Sequence, residues 1–170
     1  PPMNQNTAHH ELGQFIVSFQ HTEAALTELL VLMAKADDEA IRILINELSY
    51  SQRLRTTDVM FARFVNLLNK SEQTAKVDFH RLMNELAKLG ERRNEIVHSM
   101  YHPWINVEGK SGLLRQNSKL RGAAGTREEK EEELLPDAFS EDLRRLSAAQ
   151  GELEKFRIRI INWLYPNDSA

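Results

Sequence analysis

Cysteine is absent from the sequence, which excludes disulfides, thiolate metal sites and a cysteine nucleophile. Any chemistry must come from other side chains. Apolar runs of the roughly 18 to 20 residues that span a bilayer are lacking too, and no basic-then-apolar leader opens the chain. These absences predict a cytoplasmic protein with no membrane partner. Charge of one sign is scarce: the net charge is −3 with six histidines left uncounted, so there is no global basic field of the kind that marks duplex-DNA binders. Nucleic-acid contact, where it occurs, has to use a local patch. What is present suits a globular chain. With 170 residues, 41% hydrophobic and 28% charged, one domain over residues 1–170 is expected, with residues 1–8 as a disordered or vector-derived end, since Pro1-Pro2 stands ahead of Met3.

Periodicity predicts helices along most of the chain. Between about His10 and Lys35, Leu12, Phe15, Ile16, Phe19, Leu26, Leu30 and Met33 recur at three- and four-residue steps, one buried helical face. Asp37-Asp38 opens a shorter helix through Ile41, Ile43, Leu44 and Leu48, and Ser49 or Ser51 caps a third through Leu54, Phe61, Phe64, Val65 and Leu68. A fourth starts near Ser71 and continues through Phe79, Leu82, Met83, Leu86, Leu89, Ile96, Val97 and Met100, interrupted but not ended by Gly90 and stopped by Pro103. Residues 102–137 read as a small β-hairpin around Glu108–Gly112 followed by a mobile loop from about Asn117 to Glu133. A last helix follows from about Ala138 to Leu164. The expected fold class is all-α, an antiparallel bundle of about five helices with a hairpin and loop insertion before the last one.

Two charges fall inside apolar stripes. At about 100° per residue, Arg93 projects into the stripe of Phe79, Leu82, Leu86, Leu89, Val97 and Met100, and Glu23 projects between Phe19, Leu26 and Leu30. Buried unpaired charges cost several kcal/mol, so Glu23 and Arg93 are expected to lie near one another, with Asp58 as a second acceptor for the arginine. A structural ion pair explains that much. The neighbourhood adds chemistry, because Asn94, His98 and Tyr101 fall within about 40° of each other on the same wheel. Arginine offers a planar, permanently charged fork for phosphate, and histidine exchanges a proton near neutrality. Together they meet the needs of metal-free RNA cleavage through the ribose 2′-hydroxyl. Arg93 and His98 lie about 140° apart on an ideal helix, so a twofold dimer in which two copies of the motif meet is the arrangement that joins them.

Arg93-Asn94 followed after three positions by His98, near the end of a helix in a bundle of this size, resembles the signature of the HEPN superfamily. The stretch Glu91–Trp104 also resembles bacterial members in which the motif precedes a tryptophan and a hairpin, and Glu23 in the first helix fits their pattern. The resemblance implies a homodimeric, metal-independent endoribonuclease with no cofactor, of the kind used as toxins and antiviral effectors and restrained by an antitoxin or regulatory protein. It assigns phosphate stabilisation to Arg93, base or acid to His98, and orientation to Asn94, with Glu23, Tyr101 and Trp104 in support. The superfamily also implies the alternative of a non-catalytic dimerisation, interaction or nucleotide-binding module. HEPN toxins silenced by a partner nucleotidyltransferase carry a tyrosine two residues after the histidine. Here that position is Met100, so control through that tyrosine is not expected.

Other signals are weaker. Lys110, Arg115, Lys119 and Arg121 make the insertion a candidate RNA-binding region near Trp104 and Tyr101, although Glu128, Glu129 and Glu131–Glu133 equally suit a solvated loop. Gly109-Lys110-Ser111 lacks the upstream glycine of a phosphate-binding loop. His98 and His102 have the spacing of a helical metal pair, but no third ligand is evident, and no metal is expected.

Overall fold

Local capping chemistry sets where the helices begin. The computed structural model describes residues 5–68 and 72–166. These contain helices α1 (Gln5–Ala34), α2 (Asp38–Asn46), α3 (Tyr50–Leu68), α4 (Gln73–Val97) and α5 (Ser140–Leu164), and strands β1 (Met100–Ile105), β2 (Ser111–Arg121) and β3 (Thr126–Leu134). The Asp37 carboxylate accepts the Ala40 N–H at 2.8 Å at the start of α2. Ser49 and Gln52 form a capping box before α3, the Ser49 N–H donating to Gln52 Oε1 at 2.8 Å and the Gln52 N–H to Ser49 Oγ at 3.4 Å. Ser71, the expected start of α4, lies outside the described residues, as does Pro1-Pro2. From Gln5 onward the chain is helical, and Ala8 is fully buried.

The all-α expectation is corrected: the fold is α+β. Helices dominate, but β1, β2 and β3 form a three-stranded antiparallel sheet in the order β1-β2-β3. The segment expected to be a mobile loop is the second half of β2, a short turn at Gly122–Ala124, and β3. Its charge runs stabilise pairing because the register sets opposite signs across the ladder, Arg115 against Glu132 and Lys119 against Glu128. Pro103 does not stop α4, which ends at Val97; it sits within β1, an edge strand, where a missing N–H is tolerated. Between β1 and β2 the Asn106 side chain accepts the Glu108 and Lys110 N–H groups at 3.0 and 2.8 Å, and Gly109 takes a φ of 77°.

The chain divides into two compact units. One comprises Pro1–Phe19 and Glu91–Arg145, the other Gln20–Gly90 and Leu146–Ala170. The first holds the sheet, and its buried apolar set includes Phe15, Phe19, Ile96, Leu113, Leu134 and Phe139. The second is helical. Phe61 stacks on Phe79 with ring centroids 4.0 Å apart, and Phe156 meets both edge-on at 5.3 and 5.0 Å. Gly90 lets α4 run beneath the Tyr50 ring, whose Cε1 would lie 2.4 Å from an added Cβ, while the Tyr50 hydroxyl donates to the Leu86 carbonyl at 2.8 Å. No helix of the described residues is long and apolar enough to cross a membrane.

Candidate functional site

The motif sits where α4 gives way to the sheet, and the last carbonyls of the helix are satisfied there. The His98 N–H donates to the Asn94 carbonyl at 3.0 Å, the Ser99 hydroxyl donates to the Glu95 carbonyl, and the Tyr101 hydroxyl donates to the Ile96 carbonyl at 2.7 Å. Burial pushes the Tyr101 phenol above its ordinary pKa, although the nearby Arg115 and Arg92 charges oppose the shift. Tyr101 thus ends the helix. Its hydroxyl is engaged in that task.

Two neighbouring arginines have opposite fates. Arg92 is drawn inward, its Nη1 and Nη2 each 2.8 Å from a Glu132 oxygen and its Nε 3.0 Å from Asp142 Oδ2. Arg115, only 4% exposed, holds the same Glu132 from β2 through Nε at 2.8 Å and Nη2 at 2.7 Å, and its Nη1 reaches Ser99 Oγ at 3.1 Å. Glu132 therefore bridges two guanidinium groups. Burial works to raise its pKa, but hydrogen bonds and charge from Arg92 and Arg115 prevail and lower it. The Arg92 pKa is raised, foremost by the hydrogen bonds to Glu132. Sequence reasoning missed this network. The signal was two adjacent arginines of which one alone fitted a motif, together with an alternating Arg115 and Glu132 among charges that looked solvated.

Arg93 is half-buried, lies over the Phe19 ring with its guanidinium carbon 5.8 Å from the centroid, and donates from Nη1 to Asn94 Oδ1 at 3.1 Å. It has no carboxylate partner among the described residues. Val97 and Met100, read as parts of the stripe around it, are 43% and 67% exposed. His98 is the first residue past α4. It is exposed, and its ring has no hydrogen-bond partner among the described residues. Arg93 and Asn94 are in contact, whereas His98 lines a groove with Met100, Asn117 and Lys130.

Glu23, expected near Arg93, belongs to the other unit, where its charge adds to the burial that raises the Tyr50 pKa. Asp58 pairs with His80 at 2.5 Å. Trp104, on β1, is 36% exposed. Of the basic residues proposed for RNA, Arg115 is buried in the Glu132 network, Lys110 pairs with Glu108 at 3.1 Å, and Arg121 pairs with Glu128 at 3.1 Å. Lys119 remains exposed on β2. Among the described residues no group of three or more histidine, aspartate or glutamate side chains is placed to hold a metal ion. The arrangement offers a cation without a carboxylate counter-charge, an amide beside it and an open imidazole. No protein-family model, curated protein or solved structure matches the chain.

Proposed function

We propose that the protein is a metal-independent endoribonuclease acting as a cytoplasmic homodimer, in which Arg93, Asn94 and His98 form the working site that their likeness to the HEPN signature implies. One observation carries the reading: Arg92 is locked to Glu132 and Asp142, while Arg93 next to it has no carboxylate partner among the described residues and is followed by an open His98. Arg92 is held in the Glu132 network, whereas the Arg93 charge meets only Phe19 and Asn94 and the His98 ring stands open. In the proposed reaction His98 takes the proton of a ribose 2′-hydroxyl, and the oxygen attacks the adjacent phosphorus. The 5′-oxygen leaves with a proton taken from water, and the product carries a 2′,3′-cyclic phosphate. Arg93 stabilises the charge that builds on the phosphate, and Asn94 holds its guanidinium. Such activity suits a toxin or antiviral effector restrained by an antitoxin or regulatory protein.

The second reading is a non-catalytic HEPN-like module that dimerises, binds a partner or holds a nucleotide. The separate surroundings of Arg93 and His98 within one chain favour it. Incubation of the purified protein with RNA in a metal chelator separates the two. The ribonuclease reading expects cyclic-phosphate ends and a loss of about 100-fold or more in His98→Ala at unchanged folding. Intact RNA, or cutting that survives the substitution, would leave the module.

A further inference from the structure

β1 begins at Met100, opposite Gln116, whereas β2 runs on to Arg121. From Asn117 onward β2 pairs with β3 alone, so on its other side alternate residues turn backbone N–H and C=O groups outward. A groove of about 310 Å³ opens at this step, and His98 forms part of its wall. Several of its other side chains are engaged. The Gln116 amide donates to Glu131 at 2.7 Å, and Arg127 pairs with Glu129. Asn117, Ser118 and the His98 ring have no side-chain hydrogen bond among the described residues, and Met100 lays an exposed thioether chain beside them. Lys130 lies 3.8 Å from Glu95 in an exposed pair, an interaction weak enough to yield to a phosphate.

This combination has a chemical meaning. A free amide presents a donor and an acceptor side by side, the pattern that pairs with the edge of adenine, and a hydroxyl serves either role. The apolar Met100 suits the face of a base. A step at a sheet edge admits an unstacked base, whereas the bases of an A-form duplex stay stacked and inaccessible from its deep groove. Taking the ribonuclease reading for the substrate, we infer that this groove seats one unstacked nucleotide of single-stranded RNA beside His98, with Asn117 reading the base edge and Lys130 holding its phosphate. RNA contact then lies at Asn117 and Lys130, not at Arg115, which is buried in the Glu132 network.

The test uses the full chain and a short single-stranded RNA with 2′-O-methyl riboses, which blocks attack by the 2′-oxygen, and measures binding by fluorescence anisotropy. Asn117→Ala is expected to weaken binding of adenine-containing RNA about tenfold. Lys130→Ala is expected to weaken all sequences alike and to lower the salt slope by about one. Loss of cleavage in His98→Ala with these binding losses intact supports both readings, and binding losses without any cleavage by the wild type support the groove while removing the ribonuclease. Unchanged affinity in both groove variants at equal folding overturns the groove and leaves the ribonuclease reading standing. Backbone NMR shifts at Asn117 and Ser118 that follow protein concentration and not RNA would assign this edge to a second copy of the chain, and would also overturn it.

Discussion

A single carboxylate holds two arginines at the junction of helix and sheet. Glu132 accepts from Arg92 and Arg115, and its removal would leave the buried Arg115 without its main counter-charge and the half-buried Arg92 with Asp142 alone. Breaking such a network from one side costs about 3–5 kcal/mol. Glu132→Ala should therefore lower the melting temperature markedly by calorimetry, whereas Glu128→Ala, which loses only the exposed Arg121 pair, should change stability by less than about 1 kcal/mol. The pH dependence has a definite sign. Because the folded-state pKa of Glu132 is lowered, its stabilisation is complete above the ordinary value near 4.5 and is lost as the pH falls through the lower folded value. Urea unfolding of the wild type should weaken below about pH 4.5, and the Glu132→Gln variant should lack that part of the acid dependence.

The elements differ in how plainly the sequence announces them. α1, α3, α4 and α5 show apolar steps of three and four residues, and their existence follows from that spacing. The sheet does not show itself in this way. Along β2 and β3 the inward positions Leu113, Arg115, Glu132 and Leu134 mix apolar side chains with a paired charge, so alternation is hidden until the strands are set in register. The same pairing buries Arg115 away from RNA, a consequence of a partner in a different strand. Arg93, Asn94 and His98 stand out in the sequence because they follow one another closely at the end of α4 and just past it. Arg92 does not, since its partners Glu132 and Asp142 lie 40 and 50 positions away. Gly112 carries a test of the sheet. A Cβ there would stand 2.6 Å from the Leu134 carbonyl oxygen and 3.2 Å from the Leu135 Cα. Gly112→Ala must push β3 away and should cost about 1–3 kcal/mol, seen as a lower denaturation midpoint. Gly109→Asn keeps a left-handed turn in open space and should be nearly neutral.

The proposed site needs a second copy of the chain. Arg93 is placed by Phe19 and Asn94, and His98 opens onto the groove at the sheet edge, so one chain presents the two groups of the proposed site in different surroundings. A twofold dimer is the arrangement in which an arginine from one chain meets a histidine from the other. Arg93→Ala and His98→Ala should each be inactive as homodimers and fold normally. Mixed and allowed to exchange, they form heterodimers that contain one intact pair, and the measurement is RNA cleavage by that mixture. The account predicts activity approaching about a quarter of wild type, half the dimers being mixed and each having one of two sites. A mixture that stays as inert as its components, under conditions where wild type cleaves and heterodimers are shown to form, would contradict it.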